Sequence, residues 1–394
     1  MSIRGKAVIC GYGETPVTRG KKERGEPVLS FWDYLAWASE LTVKNAKLEI
    51  KDFDGQGLAV IHPIVEHPIN FGCEVAEHLG ISPGWIITPS HGGASGVVAL
   101  QQAVAAVSSG VVDRVLCLGG DSPMSYRPMT LLQHRKDFEN PFGVMGPNSS
   151  FAMVMRLHME RYGTKAEHTG KIAVTQRDHA ILNPNAIFRS PIKLEDYLNS
   201  RVIADPLRML DVVMPVNGGA GFVVCRSEDA QTDNPVYILG LGECDNYYHG
   251  SKALPDITYT GVTVSSKIAL DCARLEPKDM HLFEPYDDYT IAVLMQLEDA
   301  GFCRKGEGGK FVEDTDLSYK GALPVNTGGG QLSGGQAGLA SGFLNLLEAV
   351  RQLRGEGGSR QVRNAKYGMV TGLGNLQYAK NLAYTSVAIL GNEV

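Results

Sequence analysis

The stretch GGASGVVALQQAV at residues 92–104 returns in altered form as GLASGFLNLLEAV at residues 338–350. Gly, Ala, Ser, Gly, Leu, Ala and Val match in register without a gap. Each copy follows a glycine-rich corner and is followed by a turn and an apolar run. A repeated unit of this kind indicates internal duplication. We therefore predict two similar halves, residues 1–230 and 231–394, joined in the polar stretch 226–235.

Short apolar runs alternate along the chain with longer amphipathic stretches, a pattern typical of α/β proteins. The runs predicted as strands are KAVICGYG, GLAVI, RVLCLGGD, AGFVVCRS, PVYILGLGE, MHLFEP, KYGMVTGLG and TSVAILG. The stretches predicted as helices include FWDYLAWASELTVKNA, ITYTGVTVSSKIALDCARL and TIAVLMQLEDAGF. Residues 121–200 are polar and rich in Pro, Met, His and Arg. We predict a helical excursion there that packs over a site.

Composition and charge exclude several classes of function. The chain has 394 residues, of which 43% are hydrophobic and 20% charged, as is ordinary for a globular protein. A net charge of −6 provides no basic surface for nucleic acid, and no apolar run is long enough to span a membrane. The seven cysteines form no CxxC pair, so we expect free thiols and no metal site. The first residues suggest a strand rather than a signal peptide, and we expect a cytoplasmic protein.

The repeated Gly-Ala-Ser-Gly motif predicts two central helices whose backbones approach closely, because nothing larger than a methyl or hydroxyl group projects from it. The N-termini of such helices carry free N–H groups and the positive end of the helix dipole. That corner could stabilise the oxyanion of a thioester or an enolate. Packing alone is the alternative interpretation, since small residues serve packing as well.

The whole chain resembles the thiolase superfamily, and within it the sterol-carrier-protein type of thiolase. The resemblance rests on the corner at 86–104, the blocks at 161–192, 200–225 and 283–303, NTGGGQLSGGQAGLASG at 326–342, and the closing TGLGN. It implies an α/β protein with the five-layer αβαβα fold of thiolases, built from two duplicated halves with a loop excursion in the first. It also implies a homodimer.

The four side chains that thiolases use in catalysis are absent from the matching positions. The resemblance places the nucleophilic Cys of thiolases at Gly93 and the His-Asp-x-Phe block of the sterol-carrier type at residues 286–289. It places the activating His of the Gly-His-Pro block at Gln336 and the second Cys at Thr371. Covalent acyl transfer needs an activated nucleophile and a base, so ordinary thiolase chemistry is not expected.

A retro-aldol cleavage of a 3-hydroxyacyl-CoA requires no covalent enzyme intermediate. It requires a base for the β-hydroxyl proton, an oxyanion site for the thioester enolate and an acid for the α-carbon. We predict Tyr286, Asp288, His91 and Gln336 as the catalytic residues, although Gln336 could also merely fill the space of the lost His.

One branch of the superfamily resembles this chain in lacking the nucleophile. Its members, thiolase-like subunits of steroid side-chain degradation, act as aldolases together with a small OB-fold partner, for which we expect a zinc ribbon. The catalytic Tyr of that branch matches Tyr286, whereas its second Tyr falls near Gln336, where this chain departs from the branch. The resemblance thus implies an aldolase acting on a steroid or aromatic side chain, with a partner subunit.

The corner and the glycine-rich loop are further predicted to contact the acyl-CoA substrate. The residues predicted to bind it are Gly93, Ser95, Asn326, Gly329, Gly330 and Gly372. Coenzyme A is part of this substrate, and no covalently bound cofactor is expected. Arg127, Arg135 and Lys136 could meet the phosphates of coenzyme A, although a solvated charged face is the commoner role for such residues.

Several alternatives stay open from the sequence. Tyr286 or Tyr289 could be a core aromatic, and we expect one of Asp287 and Asp288 to cap the helix that follows. His91 could bond a turn carbonyl. At the level of function, an acyltransferase with a displaced nucleophile and a non-catalytic subunit that binds acyl-CoA or lipid are the alternatives to an aldolase.

Overall fold

The computed structural model describes residues 3–64, 69–126, 140–144, 146–245, 247, 256–376 and 382–394. The strands are β1 (Ala7–Glu14), β2 (Gly57–Ile61), β3 (Trp85–Ile87), β4 (Arg114–Asp121), β5 (Val202–Ala204), β6 (Leu207–Arg208), β7 (Gly218–Arg226), β8 (Val236–Asp245), β9 (Leu282–Glu284), β10 (Tyr367–Leu376) and β11 (Leu382–Gly391). The helices are α1 (Phe31–Asn45), α2 (Phe71–Leu79), α3 (Ser95–Ser108), α4 (Pro123–Tyr126), α5 (Pro147–Tyr162), α6 (Ala166–Ile181), α7 (Leu194–Leu198), α8 (Val262–Ala273), α9 (Thr290–Asp299), α10 (Gly308–Asp314), α11 (Gly330–Gly334) and α12 (Gly342–Leu353).

Nine strands pair in the order β3-β2-β4-β7-β1-β8-β11-β10-β9, and β5 pairs with β6 alone. The eight apolar runs predicted as strands all lie in the nine-stranded sheet, so those predictions are confirmed. β1 and β8 pair antiparallel, with Val8 opposite Tyr237 and Ile9 opposite Val236. This pairing connects the strands before the predicted junction at 226–235 to the strands after it.

The sheet has two sections, the strands β3-β2-β4-β7-β1 and the strands β8-β11-β10-β9. The helices form three layers around these sections. α1 and α2 cover the outer face of the first section, with Phe31 and Leu35 packed against its strands. α3 and α12 lie between the sections in the core that contains Leu100 and Leu346. α8 and α9 cover the outer face of the second section, where Leu297 is buried. The order helix–sheet–helix–sheet–helix is the five-layer fold that the resemblance implies.

The excursion predicted at 121–200 contains α4 to α7 in its described parts. The proposed phosphate contacts Arg127, Arg135 and Lys136 lie outside the described residues. The helix predicted from ITYTGVTVSSKIALDCARL was too long, because α8 begins only at Val262. There the Asp299 carboxylate accepts hydrogen bonds from the backbone N–H and the hydroxyl of Thr260, both at 2.8 Å, which holds the chain in a turn.

The seven cysteines are free thiols, as predicted. In the part of the chain that the structure describes, we find no helix with both the length and the apolar character that crossing a bilayer requires.

Candidate active site

The two copies of the repeated motif fold alike. Each begins with a single-turn 3-10 helix, at Gly92–Ala94 and at Gly338–Ser341, which leads directly into α3 or α12. Gly92 and Gly338 have φ angles of +56° and +53°. Glycine adopts this left-handed conformation at little cost, which explains why both corners start with it.

The backbones of α3 and α12 touch where the motif predicts contact. A Cβ added to Gly96 would lie 2.4 Å from the carbonyl oxygen of Gly342, and one added to Gly342 would lie 2.6 Å from the carbonyl oxygen of Gly93. No side chain fits at either position without moving a helix. The predicted close approach of two central helices is therefore confirmed.

Tyr286 lies against Gly93, the position that the resemblance assigns to the nucleophile of thiolases. A Cβ added to Gly93 would lie 2.1 Å from Cζ of Tyr286 and 2.3 Å from the carbonyl oxygen of Leu373. Position 93 thus has no room for a side chain while the tyrosine ring is in place. The Tyr286 ring and the Leu373 carbonyl together exclude a side chain from position 93.

The Tyr286 hydroxyl lies between two polar side chains. It accepts a hydrogen bond from Gln336 Nε2 at 3.2 Å and lies 3.4 Å from Ser341 Oγ. Because Ser341 donates its own proton to the Gly338 carbonyl at 2.7 Å, the phenol proton points toward Ser341. Burial, together with the negative charge of Asp288, raises the pKa of Tyr286 above its usual value. At neutral pH this residue is a phenol that can donate a proton.

The backbone of Tyr286 is held on both sides. Its N–H donates to Thr371 Oγ1 at 3.2 Å, and its carbonyl accepts from Gln296 Nε2 at 2.7 Å. The Thr371 hydroxyl in turn donates to Gln296 Oε1. Thr371, which the resemblance matches to the second Cys of thiolases, is thus committed to positioning Tyr286. Sequence reasoning missed Gln296, whose signal is a polar residue inside the apolar helix TIAVLMQLED.

The prediction that Asp287 or Asp288 caps α9 was wrong. Tyr289 is the N-cap residue of α9, and no side chain bonds the first turn. Asp287 instead accepts hydrogen bonds from the N–H groups of Gln331 at 2.9 Å and Leu332 at 3.2 Å, in the first turn of α11. The free N–H groups of that distant helix end hold the carboxylate, which a local sequence pattern does not show.

Asp288 differs from its neighbour in having one carboxylate oxygen without a hydrogen bond in the described part of the chain. Its Oδ1 is buried and, among the described residues, has no hydrogen-bond partner. Burial and then the negative charge of Asp287 raise the pKa of Asp288 to about 8. A carboxyl group that ionises near the working pH is suited to proton transfer.

Tyr289 is the core aromatic of the pair of tyrosines. Its ring stacks on Phe151 with centroids 4.0 Å apart, and its hydroxyl donates to Asn148 Oδ1 at 2.6 Å. Both contacts lead into α5 and not to the corner. Of the two tyrosines, Tyr286 therefore lies at the corner and Tyr289 belongs to the packing of the excursion.

His91 faces a different group of residues from the other predicted catalytic side chains. Its Nε2 lies 4.0 Å from Glu243 Oε1, and its ring meets the ring edge of Tyr384 with centroids 4.7 Å apart. Ligand atoms of His91, Glu243 and Asp245 all lie within 4.8 Å of one another. Burial lowers the pKa of His91, and burial with the charge of Asp245 raises the pKa of Glu243 to about 7. Among the described residues, His91 Nδ1 has no hydrogen-bond partner, so the structure gives no support to a bond from this nitrogen to a turn carbonyl.

Ser95, predicted to bind substrate, closes the corner. Its Oγ accepts a hydrogen bond from the N–H of His91 at 2.9 Å, and the side chain is buried. Gly372 lies under the same corner, since a Cβ there would be 2.7 Å from both the Cα of Ala94 and Oγ of Ser386. Both residues shape the floor of the corner, and their contact with substrate stays a prediction.

The glycine-rich loop wraps around Asp287. A Cβ on Gly330 would lie 2.0 Å from Asp287 Oδ2, and one on Gly329 would lie 2.6 Å from the Ala180 Cβ. Asn326 is buried with φ +51°, and its Oδ1 accepts from Asn345 Nδ2 at 3.0 Å. Within the described residues its Nδ2 has no partner, which leaves a donor free for a bound group. The contact of this loop with substrate also stays a prediction.

Comparisons with known proteins identify relatives of the whole chain. The family model described as thiolase C-terminal domain-like matches residues 244–392. An acetyl-CoA acetyltransferase of Methanothermobacter thermautotrophicus is 33% identical over 359 residues, covering 88% of this chain and 92% of that protein. A steroid side-chain-cleaving aldolase of Thermomonospora curvata is 32% identical over 377 residues, covering 90% of this chain and 91% of that protein.

Solved structures with the same fold include an aldolase and a thiolase. One described as "Ltp2-ChsH2(DUF35) aldolase" superposes with a TM-score of 0.83 at 30% identity and covers 99% of both chains. The human mitochondrial 3-ketoacyl-CoA thiolase superposes with a TM-score of 0.72 at 15% identity, covering all of both chains, 100% in each case, and so shares the fold.

Proposed function

The chain belongs to the thiolase superfamily, and we propose that within it the protein is a carbon–carbon lyase that cleaves a 3-hydroxyacyl-CoA by a retro-aldol reaction. One observation carries this proposal. The ring of Tyr286 occupies the space that a nucleophile at position 93 would need, with its Cζ 2.1 Å from a Cβ built there. A corner that excludes the nucleophile but retains the helix N-termini and a buried phenol favours acid–base chemistry over acyl transfer.

The proposed reaction includes two proton transfers and breaks one carbon–carbon bond. Ionised Asp288 takes the proton of the β-hydroxyl group, and the β-carbon becomes a carbonyl as its bond to the α-carbon breaks. The electron pair of that bond passes to the α-carbon and is delocalised onto the thioester oxygen as an enolate. N–H groups at the corner stabilise this oxyanion. Tyr286 then donates its phenol proton to the α-carbon, and the products are a ketone or aldehyde and a shortened acyl-CoA.

Of the other two predicted catalytic residues, Gln336 has a supporting role in this scheme and His91 has none. Gln336 donates to the Tyr286 oxygen at 3.2 Å and so stabilises the phenolate left after proton transfer. Asp288 passes the β-hydroxyl proton to that phenolate, directly or through water, which leaves Asp288 ionised and Tyr286 protonated as in the resting state. The scheme assigns no proton transfer to His91, because its side chain contacts Glu243 and Tyr384.

Acyl transfer is the second candidate, because relatives such as the Methanothermobacter acetyl-CoA acetyltransferase are 33% identical to this chain. The two candidates differ in a covalent intermediate. Incubation of the protein with an acyl-CoA followed by intact-mass measurement distinguishes them. An acyl adduct on the protein would support acyl transfer and contradict the lyase.

A partner subunit is part of the proposal. The structure described as "Ltp2-ChsH2(DUF35) aldolase" has two named components and covers 99% of this chain. We propose that this protein likewise works with a small OB-fold subunit, as a cytoplasmic homodimer. Copurification of the protein from its own cells followed by mass spectrometry tests the partner.

The decisive experiment uses the protein alone and with its copurified partner. Each is incubated with 3-hydroxyacyl-CoA substrates that bear a steroid or an aromatic group on the β-carbon. Mass spectrometry should detect the ketone or aldehyde and the shortened acyl-CoA in equal amounts. If all of these substrates stay intact in the presence of the partner, the proposal fails.

A further inference from the structure

A pair of carboxylates beside the corner has no cationic partner among the residues that the structure describes. Glu243 and Asp245 lie on the same face of β8, and their charges interact. Two other carboxylates that are withdrawn from solvent are paired with cations: Glu348 lies 2.9 Å from Arg360, and Glu298 lies 3.0 Å from Lys305. No Lys or Arg in the described ranges forms an ion pair with Glu243 or Asp245. Glu243 is partly buried beside the exposed Asp245, and a negative charge removed from water requires compensation.

His91 completes a set of three donors with these carboxylates. Its Nε2 lies 4.0 Å from Glu243 Oε1, which is too far for a hydrogen bond. A tetrahedral zinc ion about 2.1 Å from each ligand atom holds two such atoms about 3.4 Å apart. The separations here are 4.0 Å for His91 and Glu243 and at most 4.8 Å within the set of three, so rotations of these side chains would bring the donors together on an ion.

The surroundings hold two of these donors in place. Gln101 Nε2 donates to Glu243 Oε2 at 2.8 Å, which leaves Oε1 turned toward His91. The His91 backbone N–H is bound by Ser95 at 2.9 Å, and its ring is braced by Tyr384. Outer contacts of this kind orient metal ligands in known sites. Asp245 is exposed, so a fourth position on an ion here would face solvent.

We propose that His91, Glu243 and Asp245 bind a divalent transition-metal ion of the zinc class. One imidazole with two carboxylates favours such an ion over magnesium or calcium, which prefer ligand sets made only of oxygen. The ion joins the corner before α3 to the end of β8. It thereby fixes the approach to Gly93, two residues further along the chain, and this role does not depend on the lyase activity.

The test measures metal binding and not turnover. The protein is freed of metal with a chelator and titrated with zinc chloride in a calorimeter, and we expect one ion per chain. Glu243→Gln and Asp245→Asn should each weaken binding at least about tenfold, and Gln101→Ala, an outer contact, by about 10- to 100-fold. Asp245 is exposed, so its variant should fold normally whatever the others do.

The matched control is Glu313→Gln. Glu313 lies 3.8 Å from His168 Nε2, an equally spaced His–Glu pair that is not part of any three-donor group in the described chain. Its variant should bind zinc with unchanged stoichiometry and affinity. The absorption spectrum with cobalt(II) should lack a thiolate charge-transfer band. Absence of saturable binding, a thiolate band, or binding unaffected by both carboxylate variants would overturn the proposal.

Discussion

Tyr286 and Gly93 depend on each other sterically, and this dependence decides which chemistry the corner permits. The ring needs the absence of a side chain at position 93, and the phenol then lies where Gln336 and Ser341 contact its oxygen. A single replacement of Gly93 by Cys would therefore not restore a thiolase, because the Cβ would collide with Tyr286 and with the Leu373 carbonyl. The packing around position 93 therefore excludes a nucleophilic side chain there.

Replacing Tyr286 by Phe removes only the hydroxyl group that donates the proton. We expect turnover of the 3-hydroxyacyl-CoA to fall about 10²- to 10⁴-fold, the usual contribution of a general acid. The ring still fills the space at Gly93, so the far-UV spectrum should not change. Tyr289→Phe is the control and should retain activity, because its hydroxyl binds Asn148 in α5. Equal losses in the two variants would contradict the role of Tyr286.

Replacing Gly93 by Ala should destabilise the fold. The added methyl group would lie 2.1 Å from Tyr286 Cζ and 2.3 Å from the Leu373 carbonyl oxygen. Overpacking of this kind costs about 1–3 kcal/mol, and urea unfolding measures it. Gly334→Ala is the matched control, since no atom lies within 4 Å of the Cβ position there and the unfolding free energy should hardly change.

The rate of the proposed reaction should rise with pH. Asp288 must be ionised to take the β-hydroxyl proton, and its pKa is raised to about 8. Well below this value the ionised fraction falls tenfold per pH unit, so the rate at about pH 6 should be about a hundredth of the plateau. Initial rates at saturating substrate give the profile. A profile that is flat, or that falls between pH 6 and 8, would exclude Asp288 as the base.

At the scale of elements, the sequence shows strands, central helices and their repetition, but not the partners of their ends. The apolar runs predict eight strands correctly, and Gly-Ala-Ser-Gly predicts the α3–α12 contact, because burial and small side chains are properties of local sequence. The capping prediction fails for the opposite reason. Asp287 is bound by Gln331 and Leu332, whose sequence distance conceals the contact.

Replacing Gly96 by Ala tests the contact between the two central helices. The methyl group would lie 2.4 Å from the Gly342 carbonyl oxygen, on a backbone that cannot move without shifting α12. We expect a loss of about 1–3 kcal/mol in unfolding free energy, even though Ala is the better helix former. Gln102→Ala, an exposed change on the same helix, should stay within about 0.5 kcal/mol of the parent. A stable Gly96→Ala variant would mean that the helices are not in contact.

At the scale of the whole molecule, the resemblance predicts the five layers but not which strands pair across the junction of the two predicted halves. The pairing of β1 with β8 involves only Val8 with Tyr237 and Ile9 with Val236. Each of these strands has an ordinary apolar pattern. Such a pattern predicts that the strand is buried, but it does not indicate which strand lies beside it. The same limit applies to the site. The resemblance predicts Tyr286 and Asp288 as site residues, whereas it does not predict the hydrogen bonds of Gln296 with Tyr286 and Thr371.

The free energy of unfolding should depend on pH through the ionisation of Asp288. Its pKa is raised to about 8 in the folded protein, whereas the unfolded chain ionises near 3.8. Between these values the folded state holds a proton that the unfolded state releases. The contribution of Asp288 to stability is therefore fully present below the lower value and is lost as pH rises through the higher one. One such proton corresponds to a slope of up to about 1.4 kcal/mol per pH unit.

The difference between the parent and Asp288→Asn isolates this term, because the amide does not titrate. His91, His168 and His179 have lowered pKa values and give the opposite slope near pH 6.5, but they are present in both proteins and cancel in the difference. Urea unfolding at about pH 5, 6 and 7 should show the variant gaining on the parent as pH rises. A constant difference would mean that Asp288 is ionised throughout, and the base would then have to be active well below pH 8.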